Sequence, residues 1–259
     1  MDSKKLAFIP LSAIIAVVIL FFPLPAVILE GLLVLNLVFV SLLLTITLHF
    51  KKTADFPLFP TALFVLLIFN LILHISITRH ILIKRAVFDG QVISMITSFI
   101  SGSNGLINLV VNGIIFLAFL LVVAIAVKGA VRISEVAARF SLDSMPARQM
   151  TIDTEYNSGT ITEEESIVQK TTLQREFDFF VALDGVSKFI SGGFIVVIFI
   201  TLVSIIGGII IGTKLHNEDI IAKANIYVPL SITAGFFAQL PIFLESIVVW
   251  VIVSRIGSK

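Results

Sequence analysis

Apolar residues run along this chain in blocks instead of alternating with polar ones. Six windows of about twenty mostly apolar residues, the length a helix needs to cross the hydrocarbon core of a bilayer, fall at residues 6–25, 26–47, 59–77, 109–127, 189–212 and 227–254. The pattern predicts an all-α, polytopic membrane protein with about six transmembrane helices. The first window follows Lys4 and Lys5 like a signal peptide, but its apolar run is too long and lacks a small-x-small cleavage site, so it is expected to stay attached. Pro23 and Pro25 should break that helix at its far end and make a tight hairpin with the second window, with Glu30 as the only charge nearby.

Two stretches depart from the block pattern. Between windows three and four, Val87, Phe88, Val92, Met95, Ile96 and Phe99 recur at helical spacing opposite Asp89, Gln91, Ser94 and Ser98, which predicts an interfacial amphipathic helix before the SGSNG turn at 101–105. The segment 128–188 is the sizeable soluble piece, a helical loop between transmembrane helices four and five. Arg132, Glu135 and Arg139 stand at helical pair spacing there, and Met145-Pro146 should end a short first helix. Thr160-x-x-Glu163 and Thr162-x-x-Glu165 both fit a capping box, so a second helix should start near one of them and run back toward the membrane. The loop is too small to guarantee its own core, and residues 1–259 read as a single membrane domain: spans one to four in 1–127, the loop, then spans five and six in 189–259.

The basic residues orient this arrangement. With the N-terminus in the cytoplasm, 13 Lys and Arg fall inside and 5 outside (Arg79, Lys84, Arg85, Lys214 and Lys223). The positive-inside bias therefore predicts that both termini and the 128–188 loop are cytoplasmic.

Composition narrows the chemistry. At 58% hydrophobic and 14% charged, with 23 Phe, the chain needs lipid as a solvent and partner. The absence of Cys removes disulfides, thiolate metal sites and Cys nucleophiles, and His49, His74, His80 and His216 have no ligand spacing, so no metal or cofactor is expected. A net charge of +1 implies no bulk attraction to nucleic acid. No nucleophile, metal or phosphate constellation appears, and an enzyme is not expected. The run GGIIIGTK at 207–214 has the wrong order for a phosphate loop and follows membrane-type sequence.

A few polar residues inside the apolar windows are candidates for more than packing. Glu245 lies in window six, where an ionised carboxylate costs at least roughly 2.5–3.5 kcal/mol on insertion scales, so it must face protein or water, or carry a proton. Asn70, His74 and Thr78 form a stripe in window three with Arg79 beside it, and the stripe must meet another helix. His74 can be read as a helix-helix hydrogen bonder or as facing a hydrated path. Asn108 and Asn112 repeat that spacing in window four and read as interhelical contacts. Gly208-x-x-x-Gly212 permits close approach of a helix backbone. Asp184 and Lys188, at i,i+4 where the loop meets window five, are either a surface pair or a coupling element.

The loop also carries a specific signature. Residues 132–153 read RISEVAARFSLDSMPARQMTID, and this block resembles the signature of the FHIPEP integral-membrane family, the large component of the export gate in flagellar and virulence-type type III secretion. FFPLPAVILEGLLVLNL, DFPLFP and ITRHIL before it, and ITEEE, DFFVALDGVSKFI and FAQLP after it, match family segments in order. The resemblance implies a subunit of a homo-oligomeric membrane ring in the bacterial inner membrane, working with other export-gate membrane proteins and, indirectly, with secreted protein substrates. It also implies that Arg132, Glu135, Arg139, Asp143, Arg148, Gln149 and Asp153 form an assembly surface, with Arg79, Asp184, Lys188, Glu245 and His74 as candidates for coupling. The family usually has Lys at Arg148, Arg at Asn70, Asp at Gly193 and Gly-Asp-Gly at 233–235, where this chain reads Thr233-Ala234-Gly235. The missing charges are the ones associated there with using the proton motive force, which puts coupling by that route in doubt and raises Glu245, on nearly the same helix face as Ala234, as a relocated acid. Family members also continue past the equivalent of Lys259 into a large cytoplasmic docking domain expected to be absent here. An export-gate subunit is the first expectation, whether as a fragment, a truncated product or a natural short form; a small secondary transporter or ion channel, or a non-functional remnant, are the alternatives.

Overall fold

The computed structural model describes residues 19, 22, 24–49, 57–84, 89–101, 105–216 and 220–256, and these are helical apart from short connections. In chain order the helices are α1 (Ala26–Thr47), α2 (Phe59–Lys84), α3 (Gln91–Ser101), α4 (Gly105–Asn157), α5 (Glu163–His216) and α6 (Ile220–Ile256). All but α3 are long and apolar enough to cross a membrane. They contain the second to sixth sequence windows; most of the first window, with Val87 and Phe88, lies outside the described residues.

The centre of the bundle is α6, which touches every other helix. Its neighbours α2 and α5 pack on it and on each other, and α1 closes one side. Helix α1 starts directly after Pro25, its N-cap, whose carbonyl accepts the Ile28 and Leu29 N–H groups. Its far end is tied to α6 by the Arg255 guanidinium, which donates to the Leu48 carbonyl. Pro229 and Pro241 lie inside α6, and a proline leaves the carbonyl four residues earlier without its helical partner. Neighbouring helices make this tolerable in a membrane: in the turn that Pro241 loosens, Asn70 donates from Nδ2 to the Ala238 carbonyl at 2.8 Å.

The 128–188 segment differs from its sequence expectation. Instead of a loop with a short helix ending before Pro146, α4 runs unbroken for 53 residues through that proline and α5 runs for 54. At a rise of about 1.5 Å per residue each is about 80 Å long, against roughly 30 Å of hydrocarbon. Spans four and five thus continue out of the bundle as one antiparallel helical hairpin. Pro146 is tolerated because it is exposed, so water can hydrate the freed carbonyl, and because ion pairs to α5 hold the chain beyond it. Arg148 meets Glu176 at 3.2 Å, and Asp153 meets Lys170.

A seam explains why the hairpin stays together. On α4, Val123, Val127, Ala130 and Ser134 are buried at alternating spacings of four and three, the repeat of coiled-coil packing, while Phe116 and Leu120 above them pack with Ile232 of α6. Facing them at the root of the hairpin are Leu183, Ser187 and Ile190, and the Ser134 and Ser187 hydroxyls are 2.6 Å apart. The turn at the tip places Gly159 at φ 73°, a left-handed conformation that a side chain disfavours. Of the two capping boxes, the chain uses the second: the Thr162 hydroxyl accepts the Glu165 N–H at 3.2 Å, and the Glu165 carboxylate accepts the Thr162 N–H at 2.8 Å.

Candidate functional site

Two places gather the residues that the sequence singled out. The first is a polar junction where α2, α5 and α6 meet. The stripe on α2 is buried as expected, with Asn70 and His74 essentially inaccessible. Asn70 bonds α6 at Ala238, and His74 Nε2 lies 3.3 Å from the Thr201 hydroxyl of α5. Thr201 donates to the Val197 carbonyl within its own helix, so its oxygen is left to accept from His74 Nε2, and His74 Nδ1 is buried with no hydrogen-bond partner among the described residues. A Cβ added at Gly235 would meet Thr201 Oγ1 at 2.6 Å, and one added at Gly193 would meet Leu67 Cδ1 at 2.8 Å. Asn70, Gly193 and Gly235 therefore border the same junction of α2, α5 and α6. Gln239 also donates to the Phe194 carbonyl there, at 3.2 Å.

Glu245 stands apart from this junction. It is fully buried, and neither carboxylate oxygen has a hydrogen-bond partner among the described residues. Ten residues of helix separate it from Gly235, about 15 Å along the axis, so the structure does not bring Glu245 and His74 together. Asn36 on α1, a helix that packs on α6, is likewise buried with both amide atoms unpartnered. Gly208 has the packing role expected of it, since its Cβ would lie 2.5 Å from the Tyr227 ring of α6.

The second place is the projecting hairpin. Arg132, Glu135, Arg139, Asp143, Arg148, Gln149 and Asp153 all lie on the outer half of α4, and all are exposed. Arg139 reaches Glu135 at 3.6 Å along the helix, and Arg148 and Asp153 pair across to α5. Apolar residues are exposed between these charges: Phe140 at 70%, Met150 at 71% and Val168 at 63%. At the root of the hairpin Lys188 donates to Asp184 at 2.8 Å, and that carboxylate pushes the lysine up from its ordinary value. This pair is about 20 Å or more along α5 from Thr201. Arg79 is at the opposite end of the bundle, on the exposed last turns of α2.

The sequence missed the role of Glu30. This buried carboxylate on α1 accepts the backbone N–H of Val92 through Oε2 at 2.9 Å and of Ile93 through Oε1 at 2.8 Å. It thereby caps the N-terminus of α3, where the free N–H groups and the helix dipole favour an anion. Helix α3 turns Ile93 and Thr97 inward, Thr97 bonding Thr233 at 3.0 Å, and leaves Met95 73% exposed, as suits an interfacial helix with an apolar face toward lipid. A solitary acid after Pro25 was the available signal, but its partners lie 62 positions away.

The bundle and its hairpin define a polytopic helical protein with the length and apolarity to span a membrane, carrying a projecting arm lined by exposed charges. The FHIPEP family profile matches residues 15–259, and the chain belongs to that family. It is similar to the flagellar biosynthesis protein FlhA of Borreliella burgdorferi, 44% identical over all of this chain and 37% of the relative. It also matches the FlhA of Treponema pallidum, 42% identical over 96% of the chain and 35% of the relative, and that of Bacillus subtilis, 36% identical over 100% and 37%. The chain thus spans little more than a third of the length of these relatives. No solved structure matches it significantly.

Proposed function

We propose that this chain is the membrane part of an export-gate subunit in a flagellar type III secretion apparatus, with its termini and hairpin in the cytoplasm and its bundle in the bacterial inner membrane. It assembles there as a ring of identical subunits beside other export-gate membrane proteins, and it acts by conformation instead of catalysis. The observation that carries this reading is the α4–α5 hairpin, which sets the family-signature residues at heights from about 8 Å (Arg132) to about 40 Å (Asp153) beyond the apolar span and leaves them exposed beside large apolar side chains. A solvated connector has no use for Phe140 and Met150 in water, whereas an assembly surface does. Similarity along the whole chain to flagellar biosynthesis proteins leaves a stand-alone transporter or channel unfavoured.

Charge reversal at Arg139 tests the assembly role. Arg139→Glu places a like charge one turn from Glu135 and should weaken higher-order complexes in mild detergent without affecting membrane insertion; normal complexes would remove the hairpin from the interface. Orientation is tested in the natively Cys-free chain by Ser158→Cys at the tip. Labelling from the periplasmic side of intact cells would invert the topology. Proton coupling in this chain runs through Glu245, a buried acid that holds no backbone cap as Glu30 does, because Asn70, Gly193 and Ala234 cannot ionise. Glu245→Gln should then abolish proton-dependent export in the assembled apparatus, and unchanged export would reduce Glu245 to a packed polar residue.

A further inference from the structure

Near the tip of the projecting hairpin, an open groove of about 380 Å³ lies between α4 and α5. Its deepest residues are Ile152 of α4 and Leu173 of α5, both buried, and Val168 extends this apolar floor at 63% exposure. Thr151 and Thr172 also line it, one from each helix, and both are exposed. The Arg148–Glu176 and Asp153–Lys170 pairs bridge the two helices at this level and fix the width of the groove.

Met150 stands at the same height on α4 and is 71% exposed. It is two residues from both Arg148 and Ile152, which line the groove, and at about 100° per residue this turns it to the opposite side of the helix. Ala147 and Thr154, three residues before it and four after, share its face; both are short and exposed, so Met150 protrudes between them as a single knob. An unbranched, flexible thioether side chain of this kind fills irregular apolar gaps. The symmetry of a ring connects knob and groove. Helices α4 and α5 leave the bundle along the direction in which they cross the membrane, and a ring of identical membrane subunits closes about that direction. Neighbours then meet at equal heights through two different patches of their surfaces. A two-fold dimer cannot use the knob and the groove in one interface, because they face different ways.

We propose that Met150 of one subunit seats in the α4–α5 groove of the next, between Thr151 and Thr172, so that the hairpins close a ring by repeating one knob-and-groove contact. The proposal rests on the assembly reading above and adds to it the register and the direction of the contact. Seating Met150 against Ile152, Val168 and Leu173 removes from water apolar surface that a free hairpin leaves exposed.

Paired cysteines in the natively Cys-free full chain test it. Oxidation of Met150→Cys with Thr172→Cys in membranes holding the assembled complex should give a ladder of covalent multimers on non-reducing gels, since seating brings the two positions within disulfide reach. Either substitution alone should give no ladder, and Gln149→Cys with Thr172→Cys, turned about 100° away on α4, should lose most of it. Met150→Asp, at an exposed position that leaves the hairpin fold alone, should shift the complex toward single subunits in mild detergent. No ladder in the paired variant, dimers from Met150→Cys alone, or an unchanged complex in Met150→Asp would each overturn the proposal. Labelling of Phe140→Cys separates this failure from that of the assembly reading: a missing ladder with Phe140 still protected in the complex removes only the knob-and-groove contact, whereas a missing ladder with Phe140 equally labelled before and after dispersal removes both.

Discussion

The α2/α5/α6 junction and the α4–α5 hairpin treat polar residues in opposite ways. In the junction, Asn70, His74 and Gln239 are neutral or neutralisable groups that each bond to a neighbouring helix, while the Thr201 hydroxyl also bonds back within its own. In the hairpin the charges are exposed, and their bonds stay within one helix or cross only to its antiparallel neighbour. The junction fixes which helices meet inside the subunit. The hairpin keeps its apolar side chains and signature charges available for something outside it. The junction is thus built from uncharged polar groups, and the hairpin presents charged and apolar ones.

The sharpest way to break the internal half of this comparison is to enforce separation of α5 from α6. Gly208→Leu drives a side chain into the Tyr227 ring, already 2.5 Å from an added Cβ, and should cost about 1–3 kcal/mol or more. It would appear as a lowered Tm of the purified chain, partly restored by Tyr227→Ala. Glu30→Ala comes next. It strips the cap from two N–H groups of α3, of which that of Ile93 is buried, an effect of about 1–3 kcal/mol; hydrogen exchange should rise in α3 and not in α5, with Glu30→Gln milder because an acceptor oxygen remains. Asn70→Leu should matter less still, about 0.6 kcal/mol as for the average interhelical hydrogen bond in a membrane, since only Nδ2 has a partner. A much larger loss in a double-mutant cycle with α6 would mean that Asn70 does more than join helices.

The smallest effect belongs to the hairpin tip. The Thr162 backbone N–H holds the Glu165 carboxyl below its ordinary value of 4.5. A group whose value is depressed by folding lends stability above its unfolded value and loses it as pH falls through the folded one. Fraying at the start of α5 should therefore grow only below about pH 4.5, and Thr162→Ala should show it already at neutral pH. Amide exchange of the Glu165 region measures both.

Local chemistry was legible in the sequence, and distant chemistry was not. Thr162 and Glu165 are three residues apart, and the apolar windows declare themselves by length, so the capping box and spans two to six could be read directly. The buried stripe of Asn70, His74 and Thr78 was visible as a spacing, but its partners Ala238 and Thr201 lie 168 and 127 positions away and no periodicity names them. The continuity of α4 through Pro146 was hidden for a different reason. A proline marks a helix end locally, and only the facing α5, with Glu176 and Lys170 in reach, shows why the helix survives it. Glu30 lay in plain view as a lone acid in an apolar hairpin, yet its function depends on where α3 happens to begin.

The central claim is that the exposed apolar face of the hairpin is covered when the subunit assembles. Phe140→Cys in the Cys-free chain measures this directly, by comparing maleimide labelling of the assembled complex with that of chains dispersed in strong detergent. Protection in the complex and full reaction after dispersal is the predicted result. Equal labelling in both states would show that Phe140 faces water throughout and that the hairpin is not the surface through which these subunits meet.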